Sequence, residues 1–418
     1  MKIIVCHPAQ QHSYRLAVAL KQKNLLDSYI TTVYYKPKSF TRFVAALLKG
    51  KFKKKAEGRR TSELENNEVI QFCEIEGLLK LLALNIPFFF RFYNKLKYDT
   101  ADHFAKKVAS YAITHHVDAV VTYDDCSPLL FEILKNRAPQ ILRILDVSAA
   151  NPLYMRRIYD KDLLMTPAFA NRLKNEMSRC WNPVIMNRAE REIKASQKFL
   201  VPSKFVSTSL KYSGAEESQM LYCPYGVDVS QFSQKKYDGV DKMKYRPLRF
   251  IYVGGVKELK GISYLLEAFQ NISKKEAELT VVGAFNPQDK DIQPYVNRVR
   301  FTGMVLHSEV PKLLQKADIF IFPSLGEGFS LSIMEAAAVG LPLVISENSG
   351  VADLIQNFAE GIIIPIQSSE AIQNAVKWFI DHPEKIQSMG NAARKKALEY
   401  TWERYYKTAV KEIQRGLM

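Results

Sequence analysis

DIFIFPSLGEGFSLSIMEAAAVG, residues Asp318 to Gly340, is the stretch on which the reading of this chain turns. Ile319, Phe320, Ile321 and Phe322 form a short apolar, β-favouring run of the kind that makes a buried strand. Pro323-Ser324-Leu325-Gly326-Glu327-Gly328 is turn chemistry, with one proline and two glycines breaking any regular element. A helix is expected from Ser330, which is a suitable N-cap, with Met334, Ala337, Ala338 and Leu341 at helical spacing. Strand, glycine loop and helix N-terminus together make an anion site, because unpaired N–H groups and the positive dipole end point out of the loop. Two carboxylates flank it. Glu327 can look into the crevice beyond the strand, and Glu335 lies where it can accept two hydroxyls, as from a ribose. A solvated Glu335 is the plainer alternative, but its neighbours Met334, Ala336, Ala337 and Ala338 describe a largely buried helix. A buried carboxylate without a partner is costly.

The same alternation extends outward in both directions. Before this stretch, Lys2–Cys6, Tyr29–Tyr35, Ala119–Tyr123, Ile141–Asp146 and Phe199–Pro202 read as strands separated by helical segments. Around it, Arg249–Val253, Leu279–Gly283, Val299–Val305, Leu343–Ser346 and Gly361–Pro365 do the same, and Ser349-Gly350 is expected to open a further helix. Strands alternating with helices predict parallel, doubly wound sheets. The 418 residues suit two such α/β domains. Residues 1–229 and 245–400 are the expected domains, joined by the polar stretch Ser230 to Lys244, with a terminal helix over 401–418.

Charge divides the halves. Residues 1–250 hold 41 Lys and Arg against 24 Asp and Glu, net +17, whereas residues 251–418 hold 18 against 19, net −1. Lys36 to Arg60 alone carries ten basic residues and Glu57, net +9, with Phe40, Phe43, Val44, Leu47, Leu48 and Phe52 at three- and four-residue intervals. A helix with that stripe and charge would lie on an anionic membrane surface. A solvated loop is the bland alternative. Nucleic acid is not expected, since no base-reading module accompanies the basic patch. Leu78 to Tyr93, with Phe88-Phe89-Phe90, offers further apolar contact area. The longest apolar run, Gly77 to Phe90, contains Lys80 and is too short to span a membrane. Ile3-Ile4-Val5 directly after Met1-Lys2 reads as a strand and not as a signal peptide. Five scattered cysteines without a CxxC fit a reduced cytoplasm and no zinc site. The expected location is cytoplasmic, peripheral to the inner face of the cell membrane.

Glu327 and Glu335, separated by seven residues in EGFSLSIME and followed by AAAVGLPLVIS, resemble the E-x7-E signature of the retaining glycosyltransferases of family 4, which have the two-domain GT-B fold. The resemblance is densest from about Ser203 onward. It implies an α/β chain whose two Rossmann-like domains face a cleft, the N-terminal one taking a glycan or lipid-linked acceptor and the C-terminal one a nucleotide-diphosphate sugar. The implied reaction belongs to bacterial-type surface polysaccharide synthesis. Gly254-Gly255-Val256-Lys257-Glu258-Leu259-Lys260-Gly261 resembles the family loop that neutralises the donor diphosphate. Lys260 matches its lysine, Gly255 stands where its arginine would be, and Lys257 is either a replacement or a solvated lysine. The resemblance assigns Glu327 to the donor sugar, Glu335 to the ribose, and Gly328, Phe329, Ser330 and Leu331 to the diphosphate. Gly254 and Val305 belong to the same donor site, Val305 beside the nucleobase. Trp402 in YTWERYY resembles the family's terminal aromatic.

The N-terminal half departs from the family. Ala9-Gln10-Gln11 replaces the usual glycine pair, so Gln10 and Gln11 would donate to the ligand through their amides. His7 and His12 either line the cleft or cap and pack the turn. Asp146 ends the strand where many members carry a histidine, and no catalytic histidine carries over. Asp160-Lys161-Asp162 and Asp289-Lys290-Asp291 have DxD form without following a strand, so no metal and no other cofactor is expected. A nucleotide-sugar epimerase of the same fold, or a scaffolding member that has lost turnover, are the competing readings.

Overall fold

The computed structural model describes residues 1–9, 12–124, 126, 128–239, 241, 243 and 245–418. Gln10 and Gln11 lie outside the described residues. Two sheets organise the chain, and every pairing in them is parallel. The first contains β1 (Ile3–His7), β2 (Leu26–Thr31), β3 (Val69–Gln71), β4 (Ala119–Tyr123), β5 (Leu142–Asp146), β6 (Lys198–Val201) and β7 (Met220–Tyr222), in the order β3-β2-β1-β4-β5-β6-β7. The second contains β8 (Leu248–Val253), β9 (Ala277–Val282), β10 (Arg300–Gly303), β11 (Ile319–Phe322), β12 (Leu343–Ser346) and β13 (Gly361–Ile364), in the order β10-β9-β8-β11-β12-β13. Parallel strands need crossover helices, and these cover both faces of each sheet. That is why the central strands β1 and β11 are wholly buried and, His7 apart, apolar.

In each sheet the strand order reverses once, between β1 and β4 and between β8 and β11. Ligands of doubly wound sheets bind in the crevice beyond the carboxyl ends of strands at such a reversal. The described residues there are Pro8, Ala9, His12, Asp124 and Cys126 in the first sheet, and Gly254–Gly261 and Pro323–Ser330 in the second.

Three expectations about elements need correction. The two three-residue edge strands, β3 and β7, are too short to leave a periodic signal. Ser349-Gly350 does not open a helix; only one 3-10 turn, Ala352–Leu354, follows. There Gly350 takes a left-handed φ of 71° against the carbonyls of Glu327 and Gly328, which commits its backbone to the loop. Lys36–Arg60 is not one helix but two, Phe40–Leu47 and Gly50–Glu57. Leu48 is extended and Gly50 has φ 55°, so the stripe is broken at its centre.

The polar stretch after Asp228 is held down tightly. Buried Lys235 lies 3.5 Å from Asp318, and Arg246 and Arg249 reach the same carboxylate at 2.7 and 2.8 Å. Asp318 sits at the start of β11, so one buried carboxylate ties the connecting segment to the second sheet. The last helix, Trp402–Leu417, packs on the helix Ser13–Lys21 and on β6 and β7 of the first sheet. Replacing Asp318 with alanine takes the carboxylate from buried Lys235, while Arg246 and Arg249 keep Asp238 at 2.7 and 3.2 Å, so the variant should lose about 3 kcal/mol in urea unfolding.

Candidate functional site

Two loops meet because one residue has no side chain. Gly261 adopts φ 67°, and a Cβ there would collide with the Pro323 carbonyl. This lets the turn after β8 lie directly on the turn after β11. Lys260 is thereby brought to Glu327, with which it forms an ion pair, and Ser324 Oγ donates to the same carboxylate at 3.1 Å. The two residues that the resemblance assigns to diphosphate and donor sugar are therefore in contact. Lys257 begins the 3-10 turn Glu258–Lys260, and its aliphatic stem runs past Gly255, 3.6 Å from where a side chain would start. Gly254 continues β8 by donating to the Val282 carbonyl at 2.9 Å.

The helix Leu331–Val339 starts where expected, with Ser330 in the N-cap position. Its hydroxyl meets Ser332 Oγ at 3.1 Å and makes no cap bond, so no side-chain cap covers the first turn. Phe329 is buried against the Tyr225 ring at 5.7 Å. Glu335 is mostly buried and has a partner that sequence reading missed, His307 Nε2 at 3.0 Å. Burial pushes the Glu335 carboxyl up, and the His307 bond opposes that. Val305 sits half-buried in the loop that carries His307. This loop follows β10, twenty-eight residues from Glu335, and nothing local connects the two.

The first sheet closes on the site from the opposite side. A Cβ on Gly328 would strike the Ser148 carbonyl, and Ser203 Oγ donates to the Gly328 carbonyl at 2.8 Å. The Glu327–Gly328 turn is thus pressed against the segment that follows β5. A second clamp comes from the helix Ala170–Cys180. Glu176 accepts from the N–H groups of Glu258 and Leu259 at 3.1 and 3.2 Å. One helical turn earlier, Arg172 donates to the Val256 carbonyl and pairs with Asp289. The spacing of Arg172 and Glu176 gave no hint of this, because their targets are more than eighty residues away.

The low-numbered cleft residues are placed differently. His7 is buried, accepts from the Ala9 N–H at 2.8 Å, and has burial holding its pKa down to about 3. It is a neutral packing residue at pH 7, and its Nε2 lies 3.7 Å from Cys126 Sγ. Asp146 is buried at the end of β5, accepts from the Tyr225 hydroxyl at 3.3 Å and lies 3.6 Å from His12 Nε2. Neither His7 nor Asp146 touches Lys260, Glu327 or Glu335. Of the DxD carboxylates, Asp160 pairs with Arg156, Asp162 accepts from Tyr264 and Gln367, and Asp289 is held by Arg172. Among the described residues no group of three or more His, Cys, Asp or Glu could hold a metal ion.

Glu258 is fully buried beside Arg172 at 3.6 Å, and burial raises its pKa to about 8. A carboxyl raised on folding stabilises the protein below its unfolded pKa, and that stability is lost as pH climbs to the folded value. Melting temperature should therefore fall between about pH 4.5 and 8, the interval between the usual and the buried values. Glu258→Gln should flatten that slope in melts taken from pH 5 to 9.

Residues 247–382 match the family model described as Glycosyl transferases group 1. The amylovoran biosynthesis glycosyltransferase AmsK of Erwinia amylovora is 28% identical over 195 residues, which is 43% of this chain and 46% of that protein. The chain spans about half the length of the curated relatives it matches. Among solved structures, sucrose-phosphate synthase from Thermosynechococcus elongatus superposes with a TM-score of 0.64 at 16% identity, covering 99% of this chain and 98% of that one. Anabaena Alr3699/HepE in complex with UDP gives 0.62 at 14% identity, covering 99% and 100%. The chain has the GT-B fold, and its second sheet with the surrounding helices matches the group 1 glycosyl transferases.

Proposed function

We propose that the chain is a retaining, metal-independent glycosyltransferase that moves a sugar from a nucleotide-diphosphate sugar to a glycan or lipid-linked acceptor. The observation that carries this reading is the meeting of Lys260 with Glu327 at the reversal point of the second sheet, with Glu335 on the adjoining helix. The match of residues 247–382 to group 1 glycosyl transferases, and the amylovoran-biosynthesis role named for AmsK, support it. UDP bound to the Anabaena neighbour supports a nucleotide donor.

Lys260 and Glu327 neutralise each other before substrate arrives. An arriving diphosphate, with more negative charge than one carboxylate, takes the Lys260 ammonium and releases Glu327 to the hydroxyls of the donor sugar. As the glycosidic bond breaks, negative charge grows on the diphosphate. Lys260, Lys257 and the uncapped first turn of Leu331–Val339 stabilise it where it develops. Glu335 holds the ribose. Catalysis is electrostatic stabilisation plus positioning, and no protein nucleophile takes part. Asp160, Asp162 and Asp289 of the two DxD stretches are already engaged by protein groups, which favours the metal-independent version.

The acceptor comes by way of the basic half, which we place against an anionic membrane surface at the inner face of the cell membrane. Phe43 and Leu47 are 59% and 69% exposed on one short helix, and Phe88 is 66% exposed on the turn Pro87–Phe92. No described helix is long and apolar enough to cross a membrane. Exposed rings beside lysines and arginines suit a protein that lies on a bilayer. Phe43→Ser with Leu47→Ser should abolish flotation with phosphatidylglycerol vesicles while leaving the unfolding midpoint in place; undiminished flotation refutes the membrane reading.

The donor reading is tested by thermal stabilisation with a panel of nucleotide diphosphates. A ligand at a hundredfold its dissociation constant adds about 2.7 kcal/mol of stability. One nucleotide should raise the wild-type melting temperature, and Glu335→Ala should lose that shift. If no nucleotide stabilises the wild type, a scaffolding role takes its place.

A further inference from the structure

A second basic site lies in the first sheet, away from the donor loops. Beside the edge strand β3 is a groove of about 470 Å³ lined by Tyr34, Tyr35, Lys36, Arg42, Arg60 and Asn66. Three of its side chains are cationic, and among the described residues that line it none is a carboxylate. The cations are held by different means. Lys36 donates to the Val69 carbonyl and, at 3.4 Å, to that of Asn66. Arg60 lies over the Tyr35 ring at 5.7 Å, and Arg42 stands in the first turn of Phe40–Leu47. Both guanidinium groups are on exposed residues. Two planar forks and an ammonium facing one groove form a receptor for a phosphate or diphosphate. A wall of one sign of charge also concentrates anions in the groove.

The surroundings indicate which phosphate. Phe40, Phe43 and Leu47 share the helix that supplies Arg42, and all three are exposed. That helix packs on Glu74–Asn85, which in turn packs on the turn carrying exposed Phe88 and Phe90. A soluble phosphate has no use for an apolar border. A phospholipid does, with its head in the groove and its chains along the crest. The position adds a further condition. Four strand steps separate β3 from β5, about 19 Å at the usual spacing. The segment after β5 is where Gly328, next to Glu327, meets the first sheet. A phosphate anchored beside β3 is therefore too far from the donor sugar for one intervening ring.

We propose that this groove binds the phosphate of a lipid-linked acceptor that carries several sugars between the phosphate and the reacting end. The proposal rests on the transferase reading, because only an acceptor needs to connect the two places.

Isothermal titration with monomeric dihexanoyl phosphatidic acid is the test, with dihexanoyl phosphatidylcholine and inorganic pyrophosphate as the other arms. Phosphatidic acid should bind wild type saturably, and Arg42→Ala with Arg60→Ala should weaken it about tenfold or more while the urea midpoint stays. Glu335→Ala should bind it as wild type does, and the double variant should keep its nucleotide-induced stabilisation. Equal binding by the double variant overturns the site. Equal binding of phosphatidylcholine, whose phosphate charge is balanced by choline, overturns recognition of an anionic head by the groove. Pyrophosphate binding as tightly as phosphatidic acid, and weakened as much by the double variant, overturns the lipid. If the wild type binds phosphatidic acid but no nucleotide, the acceptor assignment falls with the transferase reading and not through the groove.

Discussion

The close approach of Gly261 to the Pro323 carbonyl is the constraint on which the site depends. The loops after β8 and β11 belong to neighbouring strands, yet each would ordinarily stand off the other by a side chain. Removing that side chain at one left-handed position lets the backbones touch. Lys260, the residue before Gly261, then reaches Glu327, four residues after Pro323. A cation and an anion that would otherwise be solvated on separate loops become one unit at the mouth of the cleft.

The same device acts between the halves. Gly328 approaches Ser148 with no side chain between them, and Ser203 fixes the carbonyl on its far side. Arg172 and Glu176 then hold the 256–259 backbone from the first sheet's side. The contact is polar and holds buried Glu258, whose charge is disfavoured by its surroundings. Apolar contacts lie beside these bonds, with Tyr225 against Phe329 and Phe169 against Tyr295.

The two ends of the chain's charge distribution serve different surfaces. Excess basic residues gather around the edge strand β3 and the two short helices beside it, far from Lys260. The second sheet is nearly neutral in sum, and its charges are spent on internal pairs such as those around Asp318.

Much of the architecture could be read from residues alone. Strand-length apolar runs between helical segments specify parallel sheets, because only crossover helices bury both faces, and β4, β12 and the helix Ile262–Gln270 fall where the pattern puts them. Glu327 and Glu335 stand out by their spacing around a glycine loop and a helix start, Lys260 by the resemblance of its loop, and the fold brings Lys260 onto Glu327. Short edges such as β3 and β7 could not, since three residues carry no period. The break in Lys36–Arg60 was hidden because the stripe is continuous in sequence and only the backbone at Leu48 and Gly50 interrupts it. His7 and Asp146 are both buried, which their positions in the sequence do not reveal. His307 at Glu335, Arg172 and Glu176 at the loop, and the Ser148 carbonyl at Gly328 were decided by tertiary structure alone. Each is a contact between residues far apart in the chain, and local pattern records what a segment buries, not what it is buried against.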